Sequence, residues 1–160
     1  MNEQRKALWI KNSVIGGELD ARECEVLSAL MEERELADRE LLVTEGDVDD
    51  SLFLLAEGDL AVSNTIDGAE VAVYLMSPGE CAGTRAFVDR TPRKATLRAV
   101  GEATVLVLKP DRFETLLDSD PRLVYKVMRA LFRATHNNLM RMDQENAELT
   151  KYITKTGGRY

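Results

Sequence analysis

Five cations, Arg85, Arg90, Arg93, Lys94 and Arg98, fall between Cys81 and Arg98, with Asp89 as the one anion among them. Five less one leaves that stretch at +4 in a chain whose formal charge is -7, so it is where a small anion would be drawn. Guanidinium groups suit phosphate well, because their fixed fork of donors matches two phosphate oxygens at once. Pro78-Gly79 and Gly83 stand beside the cations. Glycine admits close backbone approach and left-handed turns, in which successive N–H groups can cradle a phosphate. On residue type alone, a merely solvated basic face explains the same charges equally well.

Other chemistries find less support. Asp47-Val48-Asp49-Asp50 looks like the opening of a calcium loop, but the glycine and the closing glutamate that such a loop needs are replaced by Leu52 and Gly58. A turn between strands accounts for it. The Gly79-to-Gly83 stretch lacks the Gly-Lys-Ser/Thr of a P-loop. His136 is the single histidine and belongs to a helical stretch far from the turns, where a surface or seam role is expected of it. Cys81 and His136 show no haem-ligand spacing. Without a nucleophile elbow, paired carboxylates or metal spacing, no enzyme activity is expected.

The chain has 160 residues, 44% hydrophobic and 31% charged, which fits one soluble domain able to bury its own core. Its acidic balance repels nucleic-acid polymers on average. No apolar run approaches the roughly 18 residues of a spanning helix, and no signal segment opens the chain, so a cytoplasmic protein with no membrane contact is expected. Cys24 and Cys81 fit neither a disulfide framework nor a metal motif and read as free thiols.

The elements that must position the basic stretch are β in the middle and helical at both ends. Residues 3–12 and 20–31 carry apolar positions at helical spacing, the second with Asp20 as N-cap. Short apolar runs follow at 41–43, 51–55, 60–62, 71–75, 95–99 and 105–108, punctuated by Gly46, Gly58, Asp67-Gly68, Pro78-Gly79 and Gly101. This describes an α+β fold, a β-roll or double-stranded jelly roll, rather than a parallel sheet. Residues 111–117 form a short helix, and Asp120-Pro121 opens a long one. On it Val124, Val127, Leu131, Ala134, Asn138 and Arg141 or Met142 recur toward Leu149 and Tyr152. That stripe is expected to cover the roll with its first turns and to join a second copy beyond about Leu139. The resulting divisions are a helical segment at 1–31, a roll at 32–110 and C-terminal helices with a tail at 111–160, all in one domain.

Gly46, Ser51-Leu52-Phe53-Leu54-Leu55-Ala56-Glu57-Gly58, Pro78-Gly79-Glu80 and Pro92-Arg93-Lys94-Ala95-Thr96, followed by the helix after Pro121, resemble the cyclic-nucleotide-binding domain of the catabolite activator protein (Crp/Fnr-like) superfamily over residues 20–150. The resemblance implies a cyclic nucleotide as ligand and no resident cofactor. Arg93 would pair with its phosphate, the N–H groups of Arg85, Ala86 and Ala95 would complete the cradle, and Gly83 would let the main chain approach the sugar. The chain departs from the family at Thr84, where a glutamate accepts the ribose hydroxyl. Exchanging a charged for a neutral acceptor removes roughly 1–2 kcal/mol, about a tenfold to thirtyfold loss of affinity. Arg85 and Lys94 add charge that would favour a more anionic ligand. Asn138 stands near the position that contacts the base, or else serves as a polar register residue in a dimer seam.

A ligand-sensing, homodimeric regulatory module that signals through its last helix to a protein partner is therefore the leading expectation. The alternatives are a protein-interaction or dimerisation module whose nucleotide site has decayed at Thr84, and a site for another anionic metabolite. After Tyr152 only eight residues follow, too few for a helix-turn-helix, so this chain alone is not expected to bind DNA.

Overall fold

The computed structural model describes residues 2–138. Two helices open the chain, α1 (Asn2–Lys11) and α2 (Ala21–Leu30). Asp20 caps α2 as expected: its carboxylate accepts from Glu23 N at 2.8 Å, and its own N–H donates to Glu23 Oε1 at 3.0 Å, a reciprocal capping box. The strands are β1 (Glu32–Leu36), β2 (Leu41–Val43), β3 (Leu52–Ile66), β4 (Ala69–Met76), β5 (Cys81–Ala82) and β6 (Thr96–Leu108). All pair antiparallel, in the order β1-β6-β3-β4, with β2 also on β6 and β5 on β3. The result is the β-roll expected of the α+β class.

Three differences from the sequence reading stand out. The runs at 51–55 and 60–62 are one strand, β3, and those at 95–99 and 105–108 are one strand, β6. Register shifts around Glu57 let the long pair bend without breaking. Gly58 makes the bend possible: it has φ +85, and a Cβ there would collide with the Glu102 carbonyl and Ala103. Strand β1 was not expected, because Glu32-Glu33-Arg34-Glu35-Leu36 has one buried side chain; it exists through its ladder to β6. Third, a helix, α3 (Thr84–Asp89), rises inside the basic stretch that the glycines marked as a turn.

Two apolar clusters share the central strands, because alternate side chains point to opposite faces. Phe53, Leu55 and Leu60 of β3 meet Leu97, Ala103 and Val105 of β6 inside the roll. Leu52, Leu54 and Ala56 meet Leu106 and Leu108 on the other face, under a layer of helices. That layer includes Ile10, Leu27 and Met31 at the N-terminal end, and α4 (Pro110–Glu114) and α5 (Leu116–Ser119), which replace the single helix expected at 111–117.

The last described element, α6, is helical over 121–138 and begins with Pro121 in its first position, as expected. Leu123, Val127, Ala130 and Leu131 are buried against the chain's own core. Val127 and Leu131 thus cover the domain, as expected of the first turns of this helix. Tyr125 and Phe132, seven residues apart, are instead 62% and 71% exposed. The distal seam, including Met142, Leu149 and Tyr152, lies outside the described residues.

Candidate functional site

A cavity of about 410 Å³ opens at one end of the roll. Its apolar wall is Val43, Val62, Tyr74, Met76 and Leu97, contributed by β2, β3, β4 and β6. All eight residues singled out from the sequence, Gly83, Thr84, Arg85, Ala86, Arg93, Lys94, Ala95 and Asn138, line this one cavity. Segments far apart in the chain therefore meet here: the start of α3, the stretch entering β6, and α6.

The three cations behave differently. Arg93 is 5% exposed. Its Nη2 donates to the Ser51 carbonyl at 2.6 Å and to Asp49 Oδ1 at 3.1 Å, and Nη1 donates to the Gly83 carbonyl at 3.4 Å. The guanidinium carbon sits 4.7 Å from the centre of the Phe53 ring. Nε is buried and has no acceptor among the described residues. Burial lowers the Arg93 pKa against the opposing pull of Asp49, but an arginine stays protonated. For Asp49, burial works against ionisation; hydrogen bonds from Ser51 and the charge of Arg93 outweigh it and hold the carboxyl below its usual value. Arg85, by contrast, is an exposed side chain paired with Asp89 at 2.7 Å. Lys94 is exposed and makes no ion pair among the described residues.

Gly83 explains the tight fit around Arg93. It caps α3 in the left-handed region at φ 83, and a Cβ there would strike Arg93 Nη1. Thr84, Arg85 and Ala86 form the first turn of α3, whose N–H groups find no acceptor within a helix; the first intrahelical bond runs from Phe87 N to the Gly83 carbonyl at 3.0 Å. α3 is held down by Phe87 against Phe113 of α4, ring centres 5.4 Å apart.

Several wall residues were not singled out from the sequence. Glu80 is engaged, accepting from Ser77 N at 2.6 Å and from the Tyr74 hydroxyl. Cys81 lies in the wall as a free thiol, and burial together with Glu80 pushes its pKa up to about 12, which favours the protonated thiol. Val14 enters from the turn between α1 and α2, where its N–H donates to the Gly79 carbonyl at 2.9 Å. Asn137 and Ala134 join Asn138 from α6. Helical spacing would have paired Ala134 with Asn138, but nothing local in the sequence marks Val14. Among the described residues no cluster of three metal-ligating side chains occurs, and no helix is long and apolar enough to cross a membrane.

Residues 33–120, more than half the chain, match the family profile described as the cyclic nucleotide-binding domain. The chain belongs to that family. Among solved structures, a cyclic nucleotide-binding domain from Methylobacillus flagellatus superposes with a TM-score of 0.78 at 23% identity, over 88% of this chain and 79% of that one. The N-terminal domain of a transcriptional regulator from Streptomyces coelicolor is 28% identical, with a TM-score of 0.72 over 81% of this chain and 94% of that one. The regulatory domain of Toxoplasma gondii PKA, solved with cAMP, is 26% identical, with a TM-score of 0.64 over 71% of this chain. This chain spans 44% of that structure's length. A search of curated proteins returns no match.

Proposed function

We propose that this cyclic nucleotide-binding domain is a regulatory module that takes a cyclic nucleotide, or a related anionic ligand, in the cavity at Arg93 and passes the event to α6. The observation that carries the reading is the buried Arg93 side chain, which lines the cavity while its Nε finds no acceptor among the described residues. A buried donor left unpaired costs about 1–3 kcal/mol, and a phosphate oxygen would relieve that cost. The apolar wall from Val43 to Leu97 suits the faces of a sugar and base, and Asn138 offers an amide to the base edge. The cAMP in the Toxoplasma structure names the first ligand to try. No catalytic step is needed for this role.

Signalling requires the ligand to favour one arrangement of α6 over another. Ala134, Asn137 and Asn138 bring α6 into the cavity wall, and the exposed Tyr125 and Phe132 on the same helix give a second copy a surface to bind. The active form is thus a homodimer that presents α6 to a protein partner.

The test is a calorimetric and thermal-shift titration with cyclic AMP, cyclic GMP and cyclic dinucleotides, on wild type and Arg93→Ala, with sedimentation of both. A ligand at 100 times its dissociation constant stabilises the fold by about 2.7 kcal/mol. Saturable binding that Arg93→Ala abolishes, on a dimer, is expected. A folded wild type silent across the panel at millimolar ligand overturns the reading in favour of a protein-interaction module whose nucleotide site has decayed at Thr84.

A further inference from the structure

Arg90 ends α3 in a conformation that arginine rarely adopts. Its φ of 55 and ψ of 37 place it in the left-handed region, where a helix cap is usually glycine. Its N–H donates to the Ala86 carbonyl at 2.8 Å, so the strained residue closes the helix. A strained residue persists only when its surroundings hold it there, and its position is then a pointer to a role. Here the surroundings are three carboxylates on two other segments. Nη2 contacts Glu114 Oε1 at 2.7 Å and Asp111 Oδ1 at 3.7 Å, both on α4, and Nη1 contacts Asp50 Oδ2 at 3.5 Å.

Asp50 stands between the two residues that grip Arg93: Asp49, through its carboxylate, and Ser51, through its carbonyl. One side chain thus ties the far end of α3, whose near end lines the cavity, to the loop that aims the buried guanidinium. It also ties both to α4, the element that follows β6. The Phe87–Phe113 contact makes the α3–α4 link on the apolar side, and Arg90 makes the polar one that includes Asp50. We infer that Arg90 is a positioning residue for the anion site: it sets the spacing between the start of α3 and the Arg93 guanidinium without touching the ligand. This rests on the cavity being a ligand site.

The variants are Arg90→Gly, which keeps the left-handed cap and removes all three ion pairs, and Arg90→Lys, which restores one charge. Glu114→Gln is made in both the wild-type and Arg90→Gly backgrounds. With cyclic AMP as probe, Arg90→Gly is expected to bind about fivefold more weakly, the scale of a small network of exposed pairs. Its ligand-free melting temperature should stay that of wild type, since relief of strain offsets the lost pairs. Arg90→Lys should recover part of the affinity, and Glu114→Gln should weaken binding only where Arg90 is present. In the ligand-free protein, Arg90→Gly should also speed amide exchange at Phe87 and Arg93, whose N–H groups donate to the Gly83 and Asp47 carbonyls. Unchanged exchange at both amides overturns the inference, as does unchanged affinity where cyclic AMP binds. If wild type binds no cyclic nucleotide, the ligand reading alone fails, and the exchange measurement still decides the role of Arg90.

Discussion

The inside of the roll and the helical layer outside it are cores of the same chemistry held by different forces. Phe53, Leu55 and Val105 are fixed by the ladder between β3 and β6, so their backbone cannot move without breaking hydrogen bonds. Ile10, Leu27, Val127 and Leu131 sit on helices that touch the strands chiefly through side chains. The helices hold one another through Lys126 to Glu23 at 2.8 Å, Arg22 to Asp120 at 3.3 Å, and Glu18 to Arg133 and Arg129 at 2.9 and 3.7 Å. Apolar contact and ion pairs permit small sliding that a β ladder forbids. The cavity borders both regions, with a wall of strands on one side and Val14, Ala134 and Asn137 on the other. On the proposed reading, a ligand there would touch both the strand wall and the helical cover, an arrangement suited to moving α6.

The sharpest way to break this contrast is to cut each core at neighbouring positions of one strand. Phe53→Ala is expected to cost about 3–5 kcal/mol, and Leu54→Ala about 2–5 kcal/mol, in urea unfolding. Phe53→Ala should also weaken ligand binding, because it removes the ring beneath Arg93, whereas Leu54→Ala should leave affinity within about twofold at saturation of the folded state. Equal losses of affinity in the two variants would erase the distinction. A smaller effect probes what holds the cover. Glu23 is buried, accepts from the Asp20 N–H to complete the capping box of α2, and receives Lys126, so Glu23→Ala should lower stability by about 1–3 kcal/mol and loosen amide exchange in α2 and α6 ahead of β3. Uniform loosening of helices and strands would argue for one undivided core.

The smallest expected effect is on the frame side and depends on pH. Asp49 titrates below its usual 3.8 in the folded protein. Its contribution is therefore fully present above that unfolded value and is lost as pH falls through the lower folded one. Following the urea midpoint from about pH 6 to about pH 2 should show a shallower acid limb in Asp49→Asn than in wild type. Superimposable limbs would mean that the Asp49–Arg93 pair adds nothing to stability.

Much of this was open to sequence reasoning, for identifiable reasons. Asp20 and Glu23 announce α2 because a capping box is a local device. Asp67-Gly68 marks the β3–β4 hairpin, since both residues take positive φ, at 52 and 82. The basic stretch stands out because charge is additive along a chain. Strand β1 was hidden because four of its five residues are charged and its support comes from β6, some seventy residues away. Helix α3 was hidden because six residues are too few for a helical period to declare itself.

By itself, then, the sequence determined the roll with helices at both ends, the family, and the residue types of a candidate anion site, since periodicity, turn chemistry and charge are local or additive properties. Only the tertiary structure decided which face of α6 is spent on the chain's own core, that Val14 and Asn137 complete the cavity, and that Arg93 is buried against Asp49 while Arg85 and Lys94 remain at the surface. Those outcomes turn on burial and on partners distant in the chain, which set the environment of a side chain and are absent from its own letter.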